Sequence, residues 1–115
     1  MALASKRLSD PVTLGTTTSG NAGLLYTVPS STVAIVKQII LTNYTATART
    51  VDIWMAPTGE STTDVNLIFK SLDLAGYETT LLNLSLVMDD AGDAIHAIAS
   101  AATAINITIS GIEVS

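Results

Sequence analysis

A period-two alternation of apolar and polar residues constrains the fold of this chain more than any other feature of its sequence. In residues 105–110, isoleucine alternates with Asn, Thr and Ser. Strands with one buried face have this period, whereas an amphipathic helix has apolar residues three or four positions apart. The pattern predicts a strand in which Ile105, Ile107 and Ile109 point into a core. The alternation changes phase at Gly111, which predicts a β-bulge at that glycine.

Further strands are predicted along the chain, separated by short segments rich in Gly, Pro, Asn, Asp or Ser. Residues 33–42 are apolar on both faces, apart from a Lys-Gln pair, as in a central strand. Residues 94–104 favour a strand, although Asp93 and the apolar spacing would also suit a capped helix. Residues 64–69 fit a capped helical turn, and 67–72 fit a short edge strand equally well. The other predicted strands are 24–28, 51–56 and 82–88.

These strands predict an all-β protein, with a single antiparallel β-sandwich or jelly-roll-like domain. With 115 residues the chain is long enough for one hydrophobic core and too short for two. We place the sandwich at residues 22–115. Residues 1–21 are rich in small polar side chains, so we predict that they form a short N-terminal arm.

The low content of charged residues predicts contacts with other protein chains. Charged residues make up 13% of the chain, whereas a soluble domain has about 25%. A small domain has a large surface for its volume, so few charges leave apolar area exposed, and contiguous apolar area marks interfaces. A homo-oligomer is therefore expected, and a monomer covered with Thr and Ser is the alternative. The net charge of −5 argues against nucleic acid as a partner.

Nothing in the sequence forms a catalytic pair, so we expect no enzymatic activity, no catalytic residue and no cofactor. Cysteine is absent, and His96 is the single histidine. It lies between Ile95 and Ala97 in an apolar segment, where a histidine is usually a hydrogen-bonded residue of a core or an interface. A serine nucleophile with an adjacent base is not apparent.

The chain is not expected to cross a membrane or to carry a signal peptide. Residues 94–112 have no charge when His96 is neutral, but they include several polar residues. At the start of the chain, Lys6 and Arg7 follow a short apolar stretch, whereas a signal peptide has its charges first.

The acidic segment 89–93 is the best candidate for a metal site, because Ca²⁺ prefers several closely spaced oxygen ligands. Its spacing matches no known calcium loop, and Asp and Gly are frequent in hairpin turns. We therefore predict a solvated turn at Asp89, Asp90 and Asp93, and no metal.

Binding of carbohydrate by stacking on aromatic rings is an alternative function. Trp54, Tyr44, Tyr26 and Tyr77 would supply such rings, although aromatic residues in strands more often pack in cores or interfaces. An exposed pair formed by Tyr44 and Trp54 would favour this alternative.

Five short segments carry a family resemblance: residues 25–29 (LYTVP), 32–37 (TVAIVK), 41–43 (LTN), 86–95 (LVMDDAGDAI) and 107–114 (ITISGIEV). Together they resemble small β-sandwich virion proteins of tailed bacteriophages. The resemblance extends from about residue 24 to the end of the sequence and consists mostly of strand and turn residues.

The resemblance implies a non-enzymatic structural role in a phage particle. A compact sandwich without fibre repeats favours a capsid decoration, or cement, protein that stabilises the head by binding across capsomers. A head–tail or tail adaptor, or a fibre component, is the alternative. The implied partners are the major capsid protein or other virion proteins, and the implied unit is a homotrimer. The implied location is the virion, assembled in the cytoplasm of a bacterial host.

Two groups of residues are predicted to form the interface. The arm residues Leu3, Lys6, Arg7 and Leu8 would dock on a neighbouring chain; the alternative is that the arm is disordered. The aromatic residues Tyr44 and Trp54 complete the predicted set.

Overall fold

A computed structural model of the chain describes residues 3–18 and 22–115, which form eight β-strands and one short 3-10 helix. The helix, Asp64–Asn66, lies between β4 and β5. The strands are β1 (Leu3–Thr13), β2 (Leu24–Thr27), β3 (Val33–Asn43), β4 (Arg49–Ala56), β5 (Leu67–Leu74), β6 (Thr79–Met88), β7 (Ala94–Ala99) and β8 (Ile105–Val114). No helix in these described ranges has the length and apolar character needed to cross a membrane.

The strands form two four-stranded antiparallel sheets that pack face to face. The first sheet has the order β1-β8-β3-β6, and the second sheet has the order β2-β7-β4-β5. Eight strands distributed between two sheets in this order form a jelly roll. The predicted all-β sandwich is confirmed, and β3 is a central strand as its two apolar faces predicted.

The alternation in β8 places its isoleucines in the core, as predicted. Ile105, Ile107 and Ile109 have no exposed area, whereas the polar residues between them lie half-buried on the outer face. The second sheet contributes Ile53 and Ile95, which are equally buried. Burial of an Ile side chain stabilises the fold by about 1.5–3 kcal/mol, so this double layer is the main source of stability.

The bulge predicted at Gly111 lies instead in the two strands that flank it. The pairing of β8 with β1 shifts between Arg7 and Ser9, and its pairing with β3 shifts between Val36 and Gln38. Gly111 permits this close approach, because a Cβ atom there would lie 2.1 Å from the carbonyl oxygen of Ile35. The predicted position in β8 was therefore wrong, because the extra residues lie in the neighbouring strands β1 and β3.

More than half of the segment predicted as an N-terminal arm, residues 1–21, forms an edge strand of the first sheet. Leu3–Thr13 forms β1, which pairs with β8 from Leu3 opposite Val114 to Thr13 opposite Asn106. An edge strand exposes one face and one side to solvent, so small polar residues suit it, and its position at the edge tolerates Pro11. Residues 1–2 and 19–21 lie outside the described residues.

The structure assigns both of the segments for which the sequence allowed a helix or a strand. Residues 94–104 form β7 as far as Ala99 and then a turn. In residues 64–72, the 3-10 helix Asp64–Asn66 is followed directly by β5, so each alternative describes part of the segment.

One buried polar residue, Asn43, holds two connections at the same end of the sandwich. Its side chain is fully buried, and Nδ2 donates to the carbonyl oxygens of Thr47 and Leu74, at 2.8 and 3.3 Å, and to that of Ala75. Its Oδ1 accepts hydrogen bonds from the backbone N–H and the hydroxyl of Thr45. Asn43 thereby ties the β3–β4 turn to the end of β5.

Candidate functional site

The outer face of the first sheet carries a group of apolar side chains at one end. The register places Leu3, Val114 and Val33 side by side across β1, β8 and β3, and Ile112 next to Ile35 in the adjacent row. Leu3 is 72% exposed and the other four are half-buried. We call these five residues the outer apolar patch. Contiguous apolar surface of this kind marks contacts with other molecules.

A polar cluster closes the rim of the sandwich between β1 and β2. The Tyr26 hydroxyl on β2 donates a hydrogen bond to Oε2 of Glu113 on β8, and Lys6 Nζ lies 3.1 Å from Oε1 of the same carboxylate. The hydrogen bond from Tyr26, followed by that from Lys6, holds the pKa of Glu113 below its usual value, although burial opposes this. Burial, the hydrogen bond and the carboxylate charge together raise the pKa of Tyr26.

The structure does not bring the six predicted interface residues together. Leu8 and Trp54 are buried within the chain, so their side chains are not exposed at its surface. Lys6 pairs with Glu113 within the chain, whereas Arg7 is exposed and lies 3.3 Å from Asp10. Leu3 remains in the outer apolar patch.

Tyr44 lies at the opposite end of the first sheet from that patch. It follows the last residue of β3, and its backbone N–H donates to the carbonyl oxygen of Ala104. A strand of this length spans about 35 Å, so Tyr44 and Leu3 are not parts of one contact surface.

The exposed aromatic pair differs from the one predicted. Trp54 is 9% exposed and faces away from the inter-sheet core, opposite His96. Tyr44 is accompanied instead by Tyr77, which is 73% exposed and whose backbone N–H donates to the carbonyl oxygen of Thr45 at 2.9 Å. The sequence lists both tyrosines but does not indicate that their turns are neighbours.

The outer face of the second sheet carries a polar depression of about 270 Å³ beside His96. Its lining also includes Thr18, Glu60, Ser61 and Thr62. The connection between β4 and β5 therefore lies over this face, next to the strand position of Trp54.

His96 differs from the hydrogen-bonded residue that we expected. Within the described ranges its buried Nδ1 has no hydrogen-bond partner, and burial lowers its pKa. Ser61 lines the same depression, but no hydrogen bond joins the two described side chains. A serine nucleophile is activated by a base within hydrogen-bond reach.

The acidic segment forms the predicted turn, with Asp89 and Asp90 exposed as expected, but Asp93 is buried rather than solvated. Asp93 is buried, and its carboxylate accepts hydrogen bonds from the backbone N–H groups of Thr58 and Asp90, at 2.9 and 3.2 Å. Oxygen atoms of Asp89, Asp90 and Asp93 lie within 4.8 Å of one another. The buried carboxylate is thus already occupied in fixing the β6–β7 turn to the end of β4.

Comparison with known proteins gives a likeness of fold. No protein-family model and no curated protein sequence matches the chain. Among solved structures, a chain in the structure of infectious bursal disease virus, Gx strain, is similar with a TM-score of 0.55 and 9% sequence identity. The match covers 97% of this chain and 31% of the viral chain, so this chain spans about a third of the length of its neighbour. At this identity the likeness concerns the fold.

Proposed function

We propose that this chain is a non-enzymatic structural protein of a virus particle, and specifically a capsid decoration, or cement, protein of a tailed bacteriophage. The observation that carries the proposal is the outer apolar patch on a jelly roll whose fold resembles that of a chain in a virus structure. The low charge content and the sequence resemblance to phage virion proteins support the same function. An adaptor of the tail or neck is the alternative within this class.

In this proposal the patch docks on the major capsid protein at a junction between capsomers. Leu3 is the most exposed member of the patch and Ile112 lies in the adjacent row. Each square ångström of apolar surface removed from water contributes about 25 cal/mol. Because only the assembled lattice presents the docking site, binding stabilises the assembled shell by mass action.

The resemblance also favours a homotrimeric unit. A trimer would attach through three patches at once, which raises the avidity well above the affinity of one patch. Counting the copies bound at each site of a decorated particle, by cryo-electron microscopy, tests this part of the proposal: three copies around a threefold axis support a trimer, and single or paired copies contradict it.

A binding assay with particles that lack the chain tests the proposed function. The purified chain should bind such particles saturably and raise the temperature at which they release their DNA. Replacement of Leu3 and Ile112 by Glu places charges in the patch and should abolish binding while the circular dichroism spectrum is unchanged.

Val65→Glu is the matched control, because Val65 is an apolar residue that is 90% exposed and lies outside the patch. This variant should bind as the wild type does. Equal binding by the Leu3/Ile112 variant and the wild type would contradict the role of the patch.

Carbohydrate binding is the second candidate, and the exposed pair Tyr44 and Tyr77 favours it. Aromatic rings on adjacent turns offer faces on which a sugar ring stacks. Titration of the chain with soluble glycans from the host surface, followed by tyrosine fluorescence, tests this candidate. Saturable binding that Tyr77→Ala removes would support it, and unchanged fluorescence would argue against it.

A further inference from the structure

The free edge of β6 differs from the other sheet edges of this protein. β6 is the terminal strand of the first sheet, and its ten residues, TTLLNLSLVM, include no charged residue and no proline. An unpaired edge presents backbone N–H and C=O groups to another chain, and natural proteins normally protect such edges with charges, prolines, bulges or short length.

The other terminal strands in the described ranges have this protection. β1 contains Pro11, three charged residues and two shifts of register. β2 has four residues, and β5 contains Lys70, Asp73 and Ser71 in the left-handed region at φ 53°. β6 also has one shift of register, where its residues 83–86 pair with Val36 and Gln38 of β3, but among these four strands only β6 is long, uncharged and free of proline. On either side of that shift, every second residue of β6 directs its backbone groups away from β3.

The rim of the sandwich between β6 and β5, the terminal strands of the two sheets, is lined by apolar side chains that are only partly buried. Leu82, Leu84 and Leu86 point inward from β6 and pack on the core, but they stay partly exposed because β6 is the last strand of this sheet among the described residues. On β5, Phe69 is partly exposed although its strand partner Ile53 is fully buried. An added strand would cover this row.

We propose that β6 pairs with β6 of a second copy of this chain, antiparallel and about a twofold axis at Leu84. This register places residues whose numbers add up to 168 opposite each other. Leu81 then faces the partner's Val87, Leu82 faces the partner's Leu86, and Asn83 faces the partner's Ser85. Each inward leucine therefore lies opposite a leucine of the partner. On the outward face, apolar residues lie opposite apolar residues and polar residues opposite polar residues.

The self-complementarity of β6 selects a second copy rather than another partner. A shift of the axis by one residue in either direction places Leu81 opposite the partner's Ser85 or the partner's Asp89. If the axis lay midway between two residues, each inward side chain of one strand would lie opposite an outward side chain of the other, which the pleat of the sheet forbids. An unrelated chain would have no reason to match this order of apolar and polar positions.

The ends of the paired segment carry like charges. In the same register Glu78 lies opposite the partner's Asp90, just beyond the two ends of β6. Opposed carboxylates at the rim limit the pairing to residues 80–88, which are uncharged, and weaken it at low ionic strength. Added salt should therefore strengthen the association.

The contact goes beyond the proposed function, since it joins two chains through the sheet edge and leaves the outer face of β1, β8 and β3 accessible. The pairing yields one continuous eight-stranded sheet with an isologous interface. It cannot by itself close a ring of three, so a trimer would need a different surface.

Sedimentation velocity on the isolated chain tests the pairing. The wild type should have twice the mass of 11.9 kDa at micromolar concentration, with dissociation as it is diluted. Replacement of both Leu81 and Val87 by Lys places ammonium groups opposite each other and should weaken association by at least about tenfold, because like charges repel across an interface. Leu81→Lys combined with Val87→Glu should restore it, because these two positions face each other only in the proposed register.

Val65→Lys is the control for added charge, and it should leave the mass of the dimer unchanged. Circular dichroism and the melting temperature show that each variant is folded. A wild type of single-chain mass in high salt would overturn the proposal. A double-lysine variant that associates as the wild type does, or a Lys/Glu variant that fails to recover, would also overturn it.

Discussion

The Tyr26 hydroxyl donates a hydrogen bond to the Glu113 carboxylate, and this contact joins β2 of the second sheet to β8 of the first sheet. The two residues are 87 positions apart in sequence, and Lys6 on β1 holds the other carboxylate oxygen. The rim at β1 and β2 is thereby closed by polar contacts within the chain, while the rim at β5 and β6 remains apolar. This difference identifies β6 as the edge of the first sheet at which a further strand can pair.

Acid should destabilise the protein through Glu113. Its pKa is lower in the folded chain than the usual 4.5, so the unfolded state takes up a proton first. The stabilising contribution is complete above pH 4.5 and is lost as the pH falls through the lowered pKa. Urea unfolding across this pH range measures the effect.

Glu113→Gln should remove most of this dependence on pH, because the amide does not titrate. Asp10→Asn is the matched control, since the Asp10 side chain is 79% exposed. Identical pH profiles for Glu113→Gln and the wild type would contradict the role of Glu113 in the rim.

Loss of the Asn43 side chain should destabilise the fold strongly. Asn43→Ala leaves the carbonyl groups of Leu74 and Ala75 without their side-chain donor in a buried environment. An unsatisfied buried polar group costs about 1–3 kcal/mol, so the free energy of unfolding should fall by at least about 2 kcal/mol. Asn83→Ala, at an exposed position of β6, should change it by less than about 1 kcal/mol. Equal effects of the two changes would refute this assignment.

The two faces of β8 should respond differently to truncation. Ile107→Ala removes a fully buried side chain and should cost about 2–5 kcal/mol, comparable with the stability of a small domain. Thr108 lies on the outer face, so Thr108→Ala should leave the midpoint of urea unfolding nearly unchanged. A larger effect at Thr108 than at Ile107 would contradict the assigned orientation of the strand.

Protonation of His96 should also disfavour the folded state. Burial lowers its pKa from 6.5, so stability should decline as the pH falls below 6.5, and His96→Gln should remove that decline. Because no catalytic role is assigned to His96, the Gln variant should bind particles as the wild type does. Loss of a biological activity in a folded His96→Gln variant would contradict the non-enzymatic proposal.

The features predicted correctly from sequence are those encoded by local alternation. The buried row of β8 is an example, because Ile105, Ile107 and Ile109 need only the strand period to be assigned. The strand β1 was predicted as an arm, since an edge strand has too few buried residues to show the period.

The features that sequence missed depend on contacts between distant segments. The outer apolar patch requires the register of Leu3, Val114 and Val33 across three strands. The β4–β5 connection lies beside His96 on the outer face of the second sheet, and that path is not encoded in the alternation of β4.

Immunogold electron microscopy tests the central claim most directly. An antibody against this chain should be applied to particles released from cells that carry its gene. If the chain is a decoration protein, gold should label the surface of virus heads at regular positions, and the Leu3/Ile112 glutamate variant should leave those heads unlabelled. Gold on tails or necks would favour the adaptor alternative, whereas particles without label, with the chain found free in the lysate, would contradict a role in the virion.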